Sequence, residues 1–239
     1  MSKKNNIACC GAVIVAGGSG RRMKLDKKNA DVNKVFLQLG DMPVLAHTLR
    51  AFECCDVIDK IVIVTRERDI PLCVQLAEEF KISKLQSVVC GGDTRQKSVQ
   101  NGLCEMEDVC EFVAIHDGAR CLIEPCDIEN VVLAAKEYGA AALGIPCTDT
   151  LIKVDENSDV TGFINRDGAY RVQTPQVFLT KDIICAHKKA AHDGISVTDD
   201  CSAAIYAGVK IKMVEGSALN IKLTTQEDLE LMSALLKEI

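Results

Sequence analysis

Short apolar, β-branched runs alternate along this chain with stretches whose apolar positions recur every three to four residues. The runs predict strands at residues 11–15, 60–65, 86–90, 112–115 and 141–145, and the periodic stretches predict helices at residues 44–52, 71–80, 96–106 and 128–138. Such alternation implies an α/β, Rossmann-like fold: a mostly parallel sheet flanked by helices, with ligands bound beyond the carboxyl ends of its strands. The pattern changes after Pro146. Two short strands at 150–154 and 160–164 flank the polar cluster Asp155-Glu156-Asn157-Ser158-Asp159. They predict a projecting β-hairpin arm, inserted at about residues 147–172 into a single domain of residues 1–239. An arm of this kind exposes strand edges that a second subunit would cover. The rhythm resumes with a helix at 181–192, strands at 210–214 and 220–224, and a helix at 225–237.

Composition narrows the classes of function. The 239 residues carry a net charge of −6, which argues against a general nucleic-acid binder, since no basic excess exists to displace counterions. No apolar stretch is long enough to span a bilayer, and Met1-Ser2-Lys3-Lys4-Asn5-Asn6 lacks the apolar core of a signal peptide. A cytoplasmic location is expected, with no membrane partner. The 13 cysteines include two adjacent pairs, Cys9-Cys10 and Cys54-Cys55, but no CxxC spacing. They read as reduced side chains used as small hydrophobes, Cys73, Cys90, Cys104, Cys147 and Cys185 among them.

The chemistry is concentrated where strands end. Ala16-Gly17-Gly18-Ser19-Gly20-Arg21-Arg22-Met23 follows the first strand. Glycines let main-chain N–H groups approach phosphate oxygens, and guanidinium groups offset their charge. The loop is neither a Walker sequence nor a G-x-G-x-x-G fingerprint. Gly91-Gly92-Asp93-Thr94-Arg95-Gln96-Lys97-Ser98 opens a helix, where main-chain amides with Arg95 and Ser98 suit a base, ribose or phosphate; the plainer alternative is a helix start capped by Asp93. His116-Asp117-Gly118-Ala119-Arg120 ends another strand. Asp117 suits a substrate hydroxyl or Mg²⁺, and equally a structural pair with Arg120. His116 reads as a packed, hydrogen-bonded side chain, and His47, His187 and His192 as helix-face residues. Lys222 stands among apolar neighbours just before the last helix.

These blocks, in this order and over nearly the whole chain, resemble the 2-C-methyl-D-erythritol 4-phosphate cytidylyltransferase family. The resemblance also rests on Asn33-Lys34-Val35-Phe36-Leu37, Pro43-Val44-Leu45, Asp149-Thr150, Arg166-Asp167-Gly168, Gln173-Thr174-Pro175-Gln176, Thr198-Asp199-Asp200 and Asn220-Ile221-Lys222. It implies transfer of CMP from CTP to the phosphate of 2-C-methyl-D-erythritol 4-phosphate, with release of pyrophosphate and with Mg²⁺ carried mainly by the CTP phosphates. On the same ground Arg22 and Lys34 stabilise the reacting phosphorus, and Arg166 and Lys222 place the acceptor phosphate. Asp117, Thr150 and Thr198 bind the acceptor, while Ala16, Gly17, Gly18, Gly92, Asp93, Arg95 and Ser98 hold the nucleotide. The protein ligands of the metal are not assigned. The resemblance implies a homodimer whose arms cross, so that Thr150 and Arg166 serve the neighbour's site.

Departures from the family pattern are local. The stretch 24–32 is longer than usual, and Asn33 replaces a typical proline, which predicts a looser hold on Lys34. Cys121 also replaces a proline, Tyr170 a tryptophan and Ile205 a glutamate. Gly17 stands where many members carry alanine; Ala-Gly-Gly is common in the related ribitol-5-phosphate cytidylyltransferases, the alternative acceptor class. The start of the helix at Arg95 and Thr198-Asp199-Asp200-Cys201-Ser202 favour methylerythritol. An NAD-binding oxidoreductase lacks its fingerprint here, and a catalytically silent dimeric module would have lost the cations Arg22, Lys34, Arg166 and Lys222.

Overall fold

In the computed structural model, which describes residues 9–18, 23 and 32–237, the strand β1 (Cys10–Val15) runs through the middle of a seven-stranded sheet. Its neighbours are β4 (Lys60–Thr65) and β6 (Phe112–Asp117), both parallel to it. β5 (Leu85–Cys90) extends the sheet beyond β4. On the other side lie β10 (Tyr170–Leu179), β7 (Ala140–Pro146) and β11 (Lys212–Glu215), giving the order β11-β7-β10-β6-β1-β4-β5. Only β10 runs against the rest.

The period-two alternation of these strands sorts the core into two layers. Ala12, Ile14, Ile61, Ile63 and Leu143 face α1 (Val44–Glu53), α2 (Ile70–Glu79), α4 (Pro125–Tyr138) and α7 (Gln226–Leu235). Val13, Val62, Val64, Ile115 and Phe178 face α3 (Arg95–Cys104), α5 (Thr180–His192) and α6 (Asp200–Tyr206). α3 lies unusually close to the sheet: a Cβ on Gly102 would stand 2.5 Å from Val13 Cγ1 and 2.7 Å from Val64 Cγ2. That glycine fixes how near the helix, and the loop before it, sits to β1.

The arm is a separate two-stranded sheet of β8 (Leu151–Val154) and β9 (Val160–Ile164), inserted between β7 and β10. Its tip is closed by Asp155 Oδ1, which accepts from the N–H groups of Asn157 and Asp159 at 2.9 and 3.0 Å. A further two-residue pairing joins β2 (Gln38–Leu39) and β3 (Met42–Pro43).

Three sequence expectations need correction. Residues 220–224 form no strand; they are an irregular segment pinned by Asn220, whose Nδ2 donates to Thr174 O at 2.9 Å, and by Leu223 N–H, which donates to Ala119 O at 2.8 Å. β10 was not predicted, because buried polar residues Gln173, Thr174 and Gln176 break its alternation and its register shifts between Val172 and Gln176. The small-hydrophobe reading holds for the buried thiols of Cys10, Cys55, Cys73, Cys110, Cys121 and Cys201, but Cys90, Cys104 and Cys185 are exposed and Cys147 is half-buried. All thirteen are free. Among the described residues no helix is long and apolar enough to cross a membrane.

Candidate active site

A cleft of about 570 Å³ opens at the carboxyl ends of β1, β5 and β6, where an α/β sheet places its ligands. Ala16, Gly17 and Gly18 form one wall. Ala16 N–H donates to Val64 O at 2.7 Å and Gly118 N–H to Val15 O at 2.9 Å, so the loop leaves β1 tied to both neighbouring strands. Among the described residues a Cβ added at Gly18 would meet nothing within 4 Å, and one at Gly17 only ordinary contacts with Thr65 and Arg66, the nearest at 3.5 Å. Among the described residues no close neighbour demands glycine at either position, and both glycines lie on the lining of the cleft.

The opposite wall is the turn from β5 into α3. Gly91 N–H donates to Thr65 O at 2.7 Å, and Gly92 N–H to Ser98 Oγ at 3.1 Å, while Ser98 Oγ donates to Thr94 O at 2.9 Å. A Cβ on Gly92 would collide with the Lys97 side chain. The helix cap is Thr94, not Asp93: Thr94 Oγ1 accepts from Lys97 N–H at 3.0 Å, and Asp93 is exposed on the cleft lining. Thr94 takes the role because its backbone is extended just before the first helical residue, Arg95. The N-terminus of α3 thus points its dipole at the cleft.

Between the walls sits Asp117, the last residue of β6. Lys222 Nζ donates to its Oδ2 at 2.6 Å, Arg95 Nε reaches Oδ1 at 3.4 Å, and Arg120 Nε stands 4.0 Å from Oδ2. Burial alone would raise this carboxyl, but the charges of Arg95, Lys222 and Arg120 outweigh it and hold Asp117 well below the ordinary carboxylate range. Asp117 thus pairs with cations, as the structural alternative expected, but with Lys222 and Arg95 more closely than with Arg120, and it also lines the cleft. His116 behind it is fully buried, as expected of a packed side chain. Burial, with Arg120 nearby, pushes its imidazole down to about 3, so it is neutral. Thr174 Oγ1 accepts from Asp117 N–H and lies 3.0 Å from His116 Nδ1, while Nε2 lies 3.3 Å from Arg120 O. A proton on Nε2 satisfies every member of this network.

Lys34 and Lys222 complete the lining. Lys34 is buried, and its Nζ donates to Leu223 O at 2.5 Å. The looser hold predicted for it is not what the structure has. Asn33 is itself buried: its Nδ2 donates to Ala16 O at 2.6 Å and to Asp69 Oδ2 at 3.1 Å, and its Oδ1 accepts from Val35 N–H at 3.4 Å. Asp69 is anchored in turn by Arg66 at 2.6 Å. The carboxamide replaces the rigidity of a proline with hydrogen bonds.

Of the predicted residues, Ala16, Gly17, Gly18, Lys34, Gly92, Asp93, Arg95, Ser98, Asp117 and Lys222 converge on this one cleft. Thr150, Arg166 and Thr198 are exposed and do not line it. Thr150 and Arg166 belong to the arm region, where Arg166 Nη1 donates to Thr148 O at 2.8 Å; Thr198 precedes α6. Arg22 and the stretch 24–31 lie outside the described residues. Sequence reasoning missed Thr94 and Thr224 on the lining, and Asn33, Asp69 and Asp200 behind it. The signal that could have found Asp200 was its place in the quoted block Thr198-Asp199-Asp200.

Comparison with known proteins agrees with this geometry. The profile of the family 2-C-methyl-D-erythritol 4-phosphate cytidylyltransferase matches residues 10–238. A protein of that name from Desulforamulus reducens is 41% identical over 227 residues, covering 95% of each chain. One from Clostridium novyi is 41% identical over 229 residues, covering 95% of this chain and 96% of its own. In the crystal structure of the 4-diphosphocytidyl-2C-methyl-D-erythritol synthase from Anaerococcus prevotii, 28% identical, 96% of each chain superposes with a TM-score of 0.84. On its fold, its cleft and these relatives, the chain belongs to the 2-C-methyl-D-erythritol 4-phosphate cytidylyltransferase family.

Proposed function

We propose that this chain transfers the cytidylyl group of CTP to the phosphate of 2-C-methyl-D-erythritol 4-phosphate. An oxygen of the acceptor phosphate bonds to the α-phosphorus of CTP, and the bond to the β-phosphate breaks, so pyrophosphate leaves with the electron pair. Both reactants are anions, so the reaction needs fixed positive charge more than a base. The observation that carries the reading is the convergence of Ala16-Gly17-Gly18, a helix N-terminus and the cations Lys34, Arg95 and Lys222 in one cleft. In this reading Ala16, Gly17, Gly18, Gly92, Asp93, Arg95 and Ser98 hold the nucleotide, and Lys34 with Arg22 faces charge growing on the phosphorus. Lys222, anchored by Asp117, receives the acceptor phosphate. Asp117 contacts the polyol; for Thr198, exposed and off the cleft lining, that role rests on the family resemblance alone.

A divalent cation such as Mg²⁺ fits as a companion of the triphosphate. Among the described residues no group of three or more His, Cys, Asp or Glu side chains is placed to hold a metal, and Asp117 is already engaged by cations. Asp93 and Asp117 are the carboxylates on the lining that would face such an ion. Its chemistry there is to neutralise phosphate charge. Thr150 and Arg166 lie on the exposed arm region, which supports a homodimer in which each arm completes the other chain's site. Thirteen free thiols support a reducing, cytoplasmic location.

Pyrophosphate release tests the assignment, with CTP, ATP or GTP supplied alongside methylerythritol phosphate or ribitol 5-phosphate. CTP with methylerythritol phosphate should turn over well above every other pair, because a fitted base pocket leaves polar groups unpaired when a purine enters. The names of the relatives favour this acceptor over ribitol. Comparable release from all three nucleotides would overturn the nucleotide assignment, and preference for ribitol phosphate the acceptor.

A further inference from the structure

Behind Arg95 lies a line of buried polar groups that contact with a nucleotide does not explain. Asp200 is fully buried at the first residue of α6. A buried carboxylate is tolerated only when paired and hydrogen-bonded. Arg95 Nη2 donates to Asp200 Oδ2 at 2.7 Å, and His187 Nε2 donates to Oδ1 at 3.1 Å. Burial would raise this carboxyl, yet Arg95 and His187 hold it low and ionised. His187 is buried on α5, and its Nδ1 has no hydrogen-bond partner among the described residues. The ring therefore spends its one satisfied nitrogen on Asp200.

The frame around Asp200 is rigid. Asp199 caps α6 through a reciprocal pair with Ser202. Gln176, from the central part of β10, donates to Asp199 Oδ2 and accepts from Cys201 N–H, each at 2.9 Å. The start of α6 is thereby bolted to the sheet on one side and to α5 through His187 on the other. Arg95 is the one member that reaches the cleft, with 28% of its side chain exposed. Its guanidinium is shared, bonded more closely to Asp200 than to Asp117, at 2.7 against 3.4 Å.

We infer that Asp200, oriented by His187, is a positioning residue that sets the guanidinium of Arg95 across the cleft before the nucleotide binds. Without the Asp200 bond, the carboxylate that Arg95 still meets among the described residues is Asp117, and the guanidinium falls onto it as a bidentate pair. That collapse takes the guanidinium away from the nucleotide wall, while Lys222 keeps its own bond to Asp117 Oδ2. The arrangement is preorganisation: the ordering of a flexible side chain is completed in the free protein. This inference rests on the cytidylyltransferase reading for the identity of the ligand.

The test uses two carboxamides at position 187 in the full chain. Glutamine places an amide N–H where His187 Nε2 stands, whereas asparagine is too short to reach Asp200. CTP affinity is measured by calorimetry without acceptor, and KM and kcat by pyrophosphate release. His187→Asn should weaken CTP binding and raise its KM by about tenfold, with kcat within about threefold of wild type; His187→Gln should stay close to wild type in all three. In an Arg95→Gln background His187→Asn should change CTP affinity by less than about twofold, because the side chain being positioned is gone. Equal affinities for the two carboxamides, or a full tenfold loss persisting without Arg95, would overturn the inference. If the asparagine variant does not fold, Asp200→Asn against wild type in the two Arg95 backgrounds gives the same cycle. A wild-type protein that neither binds CTP nor releases pyrophosphate overturns the functional reading instead, which separates the two failures.

Discussion

His116 ties stability to acidity more directly than any other side chain of the site. Its imidazole is neutral in the folded state down to about 3, whereas in the unfolded chain it titrates near its ordinary 6.5. Between those values the unfolded state binds a proton that the folded state refuses, so stability falls as the pH drops, by about 1.4 kcal/mol per pH unit. Above 6.5 this contribution is complete and flat. Asp117 and Asp200 act in the same direction lower down: both are held below their ordinary 3.8, so the stability they lend above that value is lost on further acidification. Denaturant unfolding of wild type and His116→Asn at pH 6.5 and 4.5 separates the contributions. Wild type should lose roughly 2–3 kcal/mol more than the variant over that interval. Parallel losses would mean that the buried imidazole is not the source. The sequence indicated that His116 packs rather than reacts, because no nucleophile accompanied it; the depth of its burial became visible only with Thr174 and Arg120 in place.

At the level of elements, what could be read from the sequence was what repeats. β4 was placed to the residue and β1, β5, β6 and β7 to within two residues at either end, because their apolar runs are short, β-branched and bounded by turn residues. The strand β10 and the short helix α6 escaped because each is held by specific polar contacts, such as those of Gln173 and Gln176, that leave no periodic trace. The turn at Asn33 is the same lesson at the active site. A missing proline reads as lost rigidity, yet the carboxamide joins Ala16 O, Asp69 and Val35 N–H in one buried knot. Removing that knot leaves Asp69 and a buried carbonyl short of a donor, at a cost of about 1–3 kcal/mol. Asn33→Ala should therefore lower both the thermal midpoint and kcat, since Lys34 follows directly in the chain, while KM for CTP changes less. Lys34→Ala should lower kcat by about 10²–10³, and it should also lower the thermal midpoint, because the buried Leu223 O loses its donor. If Asn33→Ala matches wild type in kcat, the knot supports the fold without fixing the lysine.

For the whole molecule, the described residues that the sequence grouped with the active site fall partly on the cleft lining and partly away from it. Lys34, Arg95, Asp117 and Lys222 line the cleft; Thr150 and Arg166 belong to the exposed arm region. The arm also carries apolar side chains in water, with Phe163 76% and Val160 60% exposed. A lone two-stranded hairpin is marginal, and a second copy would cover both its edges and these side chains. A crossed-arm dimer explains both facts with one contact, and it makes a prediction that no single-chain site can share. Arg166→Ala and Lys222→Ala should each be inactive alone. In a mixed dimer, the cleft of the Arg166→Ala chain meets the intact arm of the Lys222→Ala chain, giving one sound site and one doubly defective site. Random exchange makes half of the dimers mixed, each with half of its sites sound, so about a quarter of wild-type activity should return. Differently tagged chains, co-purified to confirm exchange, make the test decisive. If each cleft relied on its own arm, every site in every mixed dimer would keep one defect and no activity would return. No recovery from verified mixed dimers, or full activity in a sedimenting monomer, would refute the shared site.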